Sequence, residues 1–155
     1  MAMRIALGSD HAGFDLKTVL AKTLTEWGHD IIDLGTDNAT DSVDYPDFGA
    51  AVGRSVASGE SDLGVAVCGT GIGISIAANK VPGVRAATVH DVTSAHLARE
   101  HNHANVLCLG ARLTGASVAV EALEAWLHAS PGDGRHQTRI AKLDELDGYL
   151  VDDER

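Results

Sequence analysis

The sequence has few of the features typical of extracellular, membrane-bound or nucleic-acid-binding proteins. Only 2 of its 155 residues are cysteine, too few for a disulfide framework. No apolar run reaches the roughly 20 residues that a membrane-spanning helix needs. The formal net charge of −10 disfavours nucleic acid or an anionic membrane as a partner. We therefore expect a cytoplasmic protein that binds neither.

Short apolar segments alternate with segments of helical spacing along the chain. Strands are predicted at residues 3–8, 30–34, 63–67, 84–89 and 106–109. Helices are predicted at residues 14–27, 47–57, 91–99, 114–128 and 135–146, with a further helix that ends near Asn79. This alternation predicts an α/β fold: a three-layer, doubly wound, mainly parallel five-stranded sheet of the flavodoxin or Rossmann type, in strand order 2-1-3-4-5.

The length suits one domain, which we expect to span residues 1–155. A Pro-Gly-Asp-Gly break at residues 131–134 separates the sheet-forming region from the last helical segment. A helix after such a break need not pack on its own sheet. We therefore expect residues from about 130 onward to form a C-terminal arm that packs on a partner subunit.

The most informative segment is the glycine-rich loop after the third predicted strand. Cys68 ends the strand, Gly69, Gly71 and Gly73 alternate with other residues, and Thr70 adds a hydroxyl. The loop opens a helix, whose N-terminus attracts anions and favours the ionised form of a nearby thiol. The spacing is GxGxG, not the GxGxxG of dinucleotide sites, and no Gly-Lys-Ser/Thr closes it. The loop therefore predicts a small oxyanion site beside a reactive sulfur, whereas the other cysteine, Cys108, is expected in the core.

Further polar residues follow the carboxyl ends of strands, where open α/β sheets bind ligands. Asp10 and His11 follow the first strand, and Arg112 follows the fifth. The first and third strands flank the switch point in strand order, so Asp10, His11 and Cys68 should face one another. Asp91, after the fourth strand, is interpreted as a helix cap. A carboxylate, an imidazole and a thiol around an oxyanion site indicate catalysis.

Two further groups of candidates lie outside this edge of the sheet. His101 and Asn102 precede the fifth strand, so a functional role for His101 requires a bend in the chain or a second subunit. Arg135 and Arg139 lie one helical turn apart and suit a phosphate clamp better than an exposed ion-paired face. The histidines near residue 101 lack a zinc-ligand spacing, and we predict no metal site.

These motifs resemble those of the ribose-5-phosphate isomerase type B family, which includes the galactose-6-phosphate isomerase subunits. The resemblance is carried by residues 8–14, 44–46, 68–80, 99–102, 109–112 and 134–137. It implies interconversion of an aldose phosphate and its ketose through a cis-enediolate, with no metal or organic cofactor. It also implies a homodimer, or a dimer of dimers, with active sites at the subunit interface.

The resemblance further implies roles for individual residues. Cys68 would move the proton between C2 and C1, and Thr70 with the loop amides would stabilise the enediolate oxygen. Asp10 and His101 would open the sugar ring, and Asn102 would contact the sugar. The phosphate-side positions are His11, Arg112, Arg135 and Arg139.

Some family members use a glutamate inside the glycine loop instead of the cysteine. That position is Ile74 here, so the thiol mechanism is expected. Ribose 5-phosphate is the expected substrate, and residues 36–42 are a candidate determinant of the sugar. The alternatives are another four- to six-carbon sugar phosphate, a cysteine hydrolase or acyltransferase, and a nucleotide-binding module.

Overall fold

Strands and helices alternate along residues 1–149, which are the residues that the computed structural model describes. The strands are β1 (Arg4–Ser9), β2 (Asp30–Asp33), β3 (Leu63–Cys68), β4 (Ala86–Thr88) and β5 (Val106–Gly110). The helices are α1 (Phe14–Glu26), α2 (Tyr45–Ala57), α3 (Ile72–Asn79), α4 (Val92–Asn102), α5 (Ala116–His128) and α6 (Arg135–Tyr149). The expectation for residues 150–155, the end of the proposed arm, lies outside the described residues.

The five strands form one all-parallel sheet in the order β2-β1-β3-β5-β4. The α/β class is confirmed, but the expected order 2-1-3-4-5 was wrong for the last two strands. All five residues of β5 are buried, whereas the three residues of β4 are only half-buried. The fully buried strand β5 therefore lies inside the sheet, between β3 and β4, and the short β4 lies at the edge.

Helices cover both faces of the sheet. On one face α1, α4 and α5 enclose the larger core, to which Leu20 and Trp126 contribute fully buried side chains. On the other face α2 and α3 pack together over a smaller core that includes Val52 and Ile74. Each connection between strands is right-handed, so the connecting helix lies on the other face of the sheet when successive strands are added in the opposite direction.

The boundaries of α4 matter for the candidate residues. Asp91 caps this helix as predicted, because its carboxylate accepts the Ser94 N–H at 2.7 Å. The helix continues beyond the predicted residue 99, so His101 and Asn102 lie in its last turn. Within residues 1–149, no helix is both long and apolar enough to cross a membrane.

The last helix, α6, packs against α4. Asp144 of α6 pairs with Arg85 at 3.0 Å, and Asp147 accepts the Gly83 N–H at 2.8 Å. Leu143 and Leu146, which share its predicted apolar face, are 42% and 58% exposed. The helix is thus attached to its own chain mainly through polar contacts, and part of its apolar face is uncovered.

A buried lysine fixes the end of β2. The apolar pattern of α1 places Val19 on the buried face, but Val19 is exposed and Lys17 is buried. The Lys17 ammonium donates to the Asp33 carboxylate and to the Thr36 carbonyl, both at 2.6 Å. A buried charge is tolerated only when it is paired and hydrogen-bonded, so this contact holds the chain at the exit of β2.

This pair makes a prediction about stability. Asp33→Asn keeps the size of the side chain but leaves the buried ammonium without a counter-charge, so we expect a loss of about 2 kcal/mol in the free energy of unfolding. Lys17→Met removes the charge itself and should cost less. Urea unfolding of both variants and of the double variant measures the difference. A larger loss for Lys17→Met than for Asp33→Asn would contradict this account.

Candidate active site

A cleft of about 490 Å³ opens at the carboxyl ends of β1, β3 and β5. Seven residues predicted from the sequence line it: Asp10, His11, Cys68, Gly69, Thr70, Gly73 and Arg112. They come from three separate loops, so the parallel strands bring together groups that are up to about a hundred positions apart in the chain. The predicted meeting of Asp10, His11 and Cys68 at the switch point agrees with this geometry.

The thiol of Cys68 is positioned by the glycine loop. Its Sγ accepts the N–H of Gly71 at 3.2 Å, and the side chain is otherwise buried at the floor of the cleft. Gly71 has a φ of +76°, in the left-handed region where a side chain would be strained. A hydrogen bond from a backbone N–H stabilises a thiolate, so the turn at Gly71 supports a reactive sulfur.

The N-terminus of α3 supplies further donors beside the sulfur. The Ile72 N–H donates to Thr70 Oγ1 at 3.2 Å. Within residues 1–149 the N–H groups of Gly73 and Ile74 have no protein acceptor. Unpartnered N–H groups at the positive end of a helix are a binding site for an oxyanion.

Thr88, the last residue of β4, holds this loop from the edge of the sheet. Its hydroxyl donates to the Gly71 carbonyl at 2.9 Å, and Gly71 in turn donates to Cys68. Thr88 is not among the residues predicted for the site because it lies within the predicted strand at residues 84–89 and not after it. Its location at the carboxyl end of a strand was the available signal.

Arg112 lies over the glycine loop because β5 is next to β3. The Ala111 N–H donates to the Cys68 carbonyl and the Arg112 N–H to the Gly69 carbonyl, both at 2.9 Å. These two bonds fasten the end of β5 to the end of β3. They place a guanidinium, suited to a phosphate or carboxylate, on the cleft.

Asp10 and His11 are each fixed by a backbone N–H. Asp10 is buried, and its carboxylate accepts the Gly13 N–H at 3.0 Å. The Nδ1 atom of His11 accepts the Val43 N–H at 3.2 Å, so a neutral His11 ring carries its proton on Nε2. The segment before α2, which contains the proposed sugar-selecting residues 36–42, is therefore connected directly to a residue of the cleft.

The remaining candidates lie elsewhere in the chain. None of His101, Asn102, Arg135 and Arg139 lines the cleft. The His101 ring stacks on the His136 ring at the junction of α4 and α6, with 4.5 Å between centroids. In one chain the candidate residues thus lie in two separated groups, and His101 is remote from Cys68, as expected from the sequence.

Cys108 has the structural position predicted for it. It is fully buried in β5, and burial raises the pKa of its thiol. An uncharged thiol in the core is unreactive. Of the two cysteines, only Cys68 lines the cleft.

Four cleft residues lie in the motifs that carry the resemblance but were assigned no individual role from the sequence: Ala12, Tyr45, Ile72 and Ile76. Tyr45 is the most informative of them. Its ring lies against Gly73, where a Cβ would be only 2.6 Å from the ring carbon Cζ. An aromatic residue at the start of a helix, followed by proline, was the signal that could have identified it.

The chain of hydrogen bonds from Thr88 to Cys68 can be tested by thiol reactivity. Thr88→Val removes the hydroxyl that holds Gly71 and loosens the N–H that Gly71 donates to Cys68. Alkylation of Cys68 by iodoacetamide at pH 7 should then slow by at most about fivefold, the equivalent of one whole hydrogen bond of about 1 kcal/mol. Thr88→Ser keeps the hydroxyl and should react like the original protein. Mass spectrometry of the digested protein distinguishes alkylation at Cys68 from alkylation at the buried Cys108. Equal rates in the two variants would show that the hydroxyl has no such role.

Comparisons with known proteins show which family the chain belongs to. The sequence model of the Ribose/Galactose Isomerase family matches residues 5–143. Ribose-5-phosphate isomerase B of Escherichia coli is 44% identical over 144 residues, which cover 93% of this chain and 96% of that protein. Galactose-6-phosphate isomerase subunit LacB of Clostridium acetobutylicum is 43% identical, with 93% of this chain and 83% of that protein covered.

The fold is also similar to a solved structure. Ribose-5-phosphate isomerase B of Clostridium thermocellum superposes with a TM-score of 0.93 at 49% identity, covering 96% of this chain and 99% of that one. Membership of an isomerase family decides against the cysteine hydrolase or acyltransferase and the nucleotide-binding module. The chain belongs to the ribose/galactose isomerase family, and it is a sugar-phosphate isomerase.

Proposed function

We propose that the enzyme interconverts D-ribose 5-phosphate and D-ribulose 5-phosphate through a cis-enediolate, with Cys68 as the base. The observation that carries the proposal is the placement of Cys68 Sγ beside the donor-rich N-terminus of α3. Two relatives named ribose-5-phosphate isomerase B, at 44% and 49% identity, support the choice of sugar.

The chemistry explains why these groups occur together. A proton next to a carbonyl is weakly acidic, so the negative charge that forms on the enediolate oxygen must be stabilised as it develops. The Cys68 thiolate takes the proton from C2 of the open-chain aldose and returns it to C1, while the proton of O2 passes to O1. The N–H groups of α3 are already oriented toward the developing charge.

Thr70 is suited to donate to the same oxygen. Its Oγ1 already accepts the Ile72 N–H, so its own hydroxyl proton is available for the substrate. The Arg112 guanidinium and His11 bind the phosphate side. Binding energy from the phosphate then holds the reacting carbons against the sulfur.

Ring opening and the rest of the phosphate site require the second group of residues. We propose that a partner subunit in a homodimer brings His101, Asn102, Arg135 and Arg139 to the cleft of its neighbour. Within residues 1–149 neither Arg135 nor Arg139 has a carboxylate partner, which suits an anion-binding role. The uncovered Leu143 and Leu146 of α6 support packing of the arm, from about residue 130, on the partner.

A second candidate substrate is another four- to six-carbon sugar phosphate. The relative named for galactose 6-phosphate is 43% identical, close to the value for the ribose-5-phosphate relatives. The segment at residues 36–42 leads to Val43, which holds the His11 ring. A change in this segment would move a phosphate-side group and alter the length of sugar that fits.

The role of Cys68 is tested by isomerisation of ribose 5-phosphate in deuterium oxide with a chelator present. We expect turnover with deuterium at C1 or C2, and a loss of about 100-fold or more in Cys68→Ala because the base is removed. Cys108→Ala is the matched control and should keep its activity. Turnover that survives Cys68→Ala would remove the thiol as base. Absence of turnover would direct the assay to four- and six-carbon sugar phosphates.

The shared site is tested by mixing two inactive variants. Cys68→Ala and His101→Ala subunits, refolded together, should form heterodimers with one intact site, and random pairing should restore about a quarter of full activity. Cys68→Ala mixed with Asp10→Ala is the control, because both lesions lie in the same cleft and no intact site can form. Recovery in both mixtures, or in neither, would contradict a site shared in this way.

A further inference from the structure

A second cluster of polar side chains lies at the junction of α4 and α6. Glu100 and His101 are in the last turn of α4, and His136 is in the first turn of α6. One donor atom from each of these side chains lies within 4.8 Å of the other two, and all three are half-buried. The two rings are stacked at a centroid distance of 4.5 Å with an angle of 10° between their planes.

The backbone holds this junction closely. The Gly132 N–H donates to the Glu100 carbonyl at 2.8 Å and fastens the segment before α6 to the end of α4. A Cβ on Gly132 would lie 2.7 Å from Cδ2 of His136, so only glycine permits the ring to sit here. The approach of His136 to His101 is thus built into the chain.

His96 orients the carboxylate. Its Nε2 lies 2.9 Å from Oε2 of Glu100, one helical turn away. The other carboxylate oxygen of Glu100 is available to a ligand. Histidines and carboxylates that orient a metal ligand in this way are typical of metal sites in proteins.

We infer that Glu100, His101 and His136 bind a divalent cation of the zinc type, and that the bound ion inhibits the enzyme. Two imidazoles and one carboxylate, with an open fourth position, form a donor set that zinc uses. Zinc bonds of about 2.0–2.2 Å require donor atoms about 3.4 Å apart, whereas the present donor atoms lie within 4.8 Å of one another. An imidazole binds a metal in the plane of its ring, so one of the two stacked rings must also turn out of its parallel orientation before both can bind one ion.

The inference that the bound ion inhibits the enzyme rests on the proposed function, in which His101 helps to open the sugar ring. A neutral imidazole binds the ion through the lone pair that would otherwise accept a proton, so a metal-bound His101 can no longer take part in opening the sugar ring. A zinc-ligand spacing is absent from the sequence because His136 belongs to a different helix, 35 positions beyond His101.

Direct binding is the first test, and it does not depend on activity. Cys68→Ser protein is titrated with zinc chloride by calorimetry, so that the thiol does not compete for the metal. We expect one zinc ion per chain, and an affinity about tenfold or more weaker after His136→Gln. His128→Gln changes an exposed histidine outside the cluster and should have no effect. Magnesium, which prefers oxygen ligands, should not bind.

Inhibition is then measured on protein with Cys68 intact. Zinc should lower turnover reversibly, with recovery on adding a chelator. The zinc concentration for half inhibition, measured against each variant's own activity, should rise about tenfold or more for His136→Gln and stay constant for His128→Gln.

The outcomes separate the two proposals. Absence of zinc binding, or equal affinity in His136→Gln, overturns the metal site and leaves the isomerase mechanism intact. Inhibition that is insensitive to His136→Gln assigns the effect to another group, such as the Cys68 thiol, and also overturns the inference. Zinc that binds to the cluster without changing turnover overturns the inhibitory role and counts against ring opening by His101.

Discussion

The cleft depends on the pairing of β5 with β3, because this pairing fastens the loop after β5 to the glycine loop. Backbone N–H groups of Ala111 and Arg112 donate to the carbonyls of Cys68 and Gly69, so the Arg112 side chain lies on the same cleft as the thiol. The same pairing leaves β4 at the edge, where Thr88 can reach the carbonyl of Gly71. The position of β5 next to β3 therefore places both the Arg112 side chain on the cleft and the hydroxyl of Thr88 against the loop that donates to the sulfur.

The chemistry of the cleft relies on backbone groups more than on charged side chains. Cys68 is held by an N–H, Asp10 by the N–H of Gly13, and His11 by the N–H of Val43. Backbone donors are fixed by the fold and need little reorganisation when charge develops in a reaction. A chain with a net charge of −10 can in this way bind an anion at one defined place.

The candidate residues form two groups that are separated within one chain. The cleft contains the thiol and the helix donors, while His101 lies with His136 and Glu100 at the end of α4. Turnover would then depend on assembly, because neither group is complete in one chain. A histidine pair placed next to a carboxylate would also make turnover sensitive to a bound metal ion.

Local patterns in the sequence determined the type and order of the elements and the glycine loop. They also gave the grouping of Asp10, His11 and Cys68, because hydrophobic period, turn residues and the ends of parallel strands are fixed by nearby residues. Only the tertiary structure decided that β5 lies beside β3, that Lys17 is buried, and that Thr88 and His136 reach their partners. These contacts join residues that are distant in the chain. Their free energy depends on burial and on pairing with distant groups, and the pattern of neighbouring residues does not specify either.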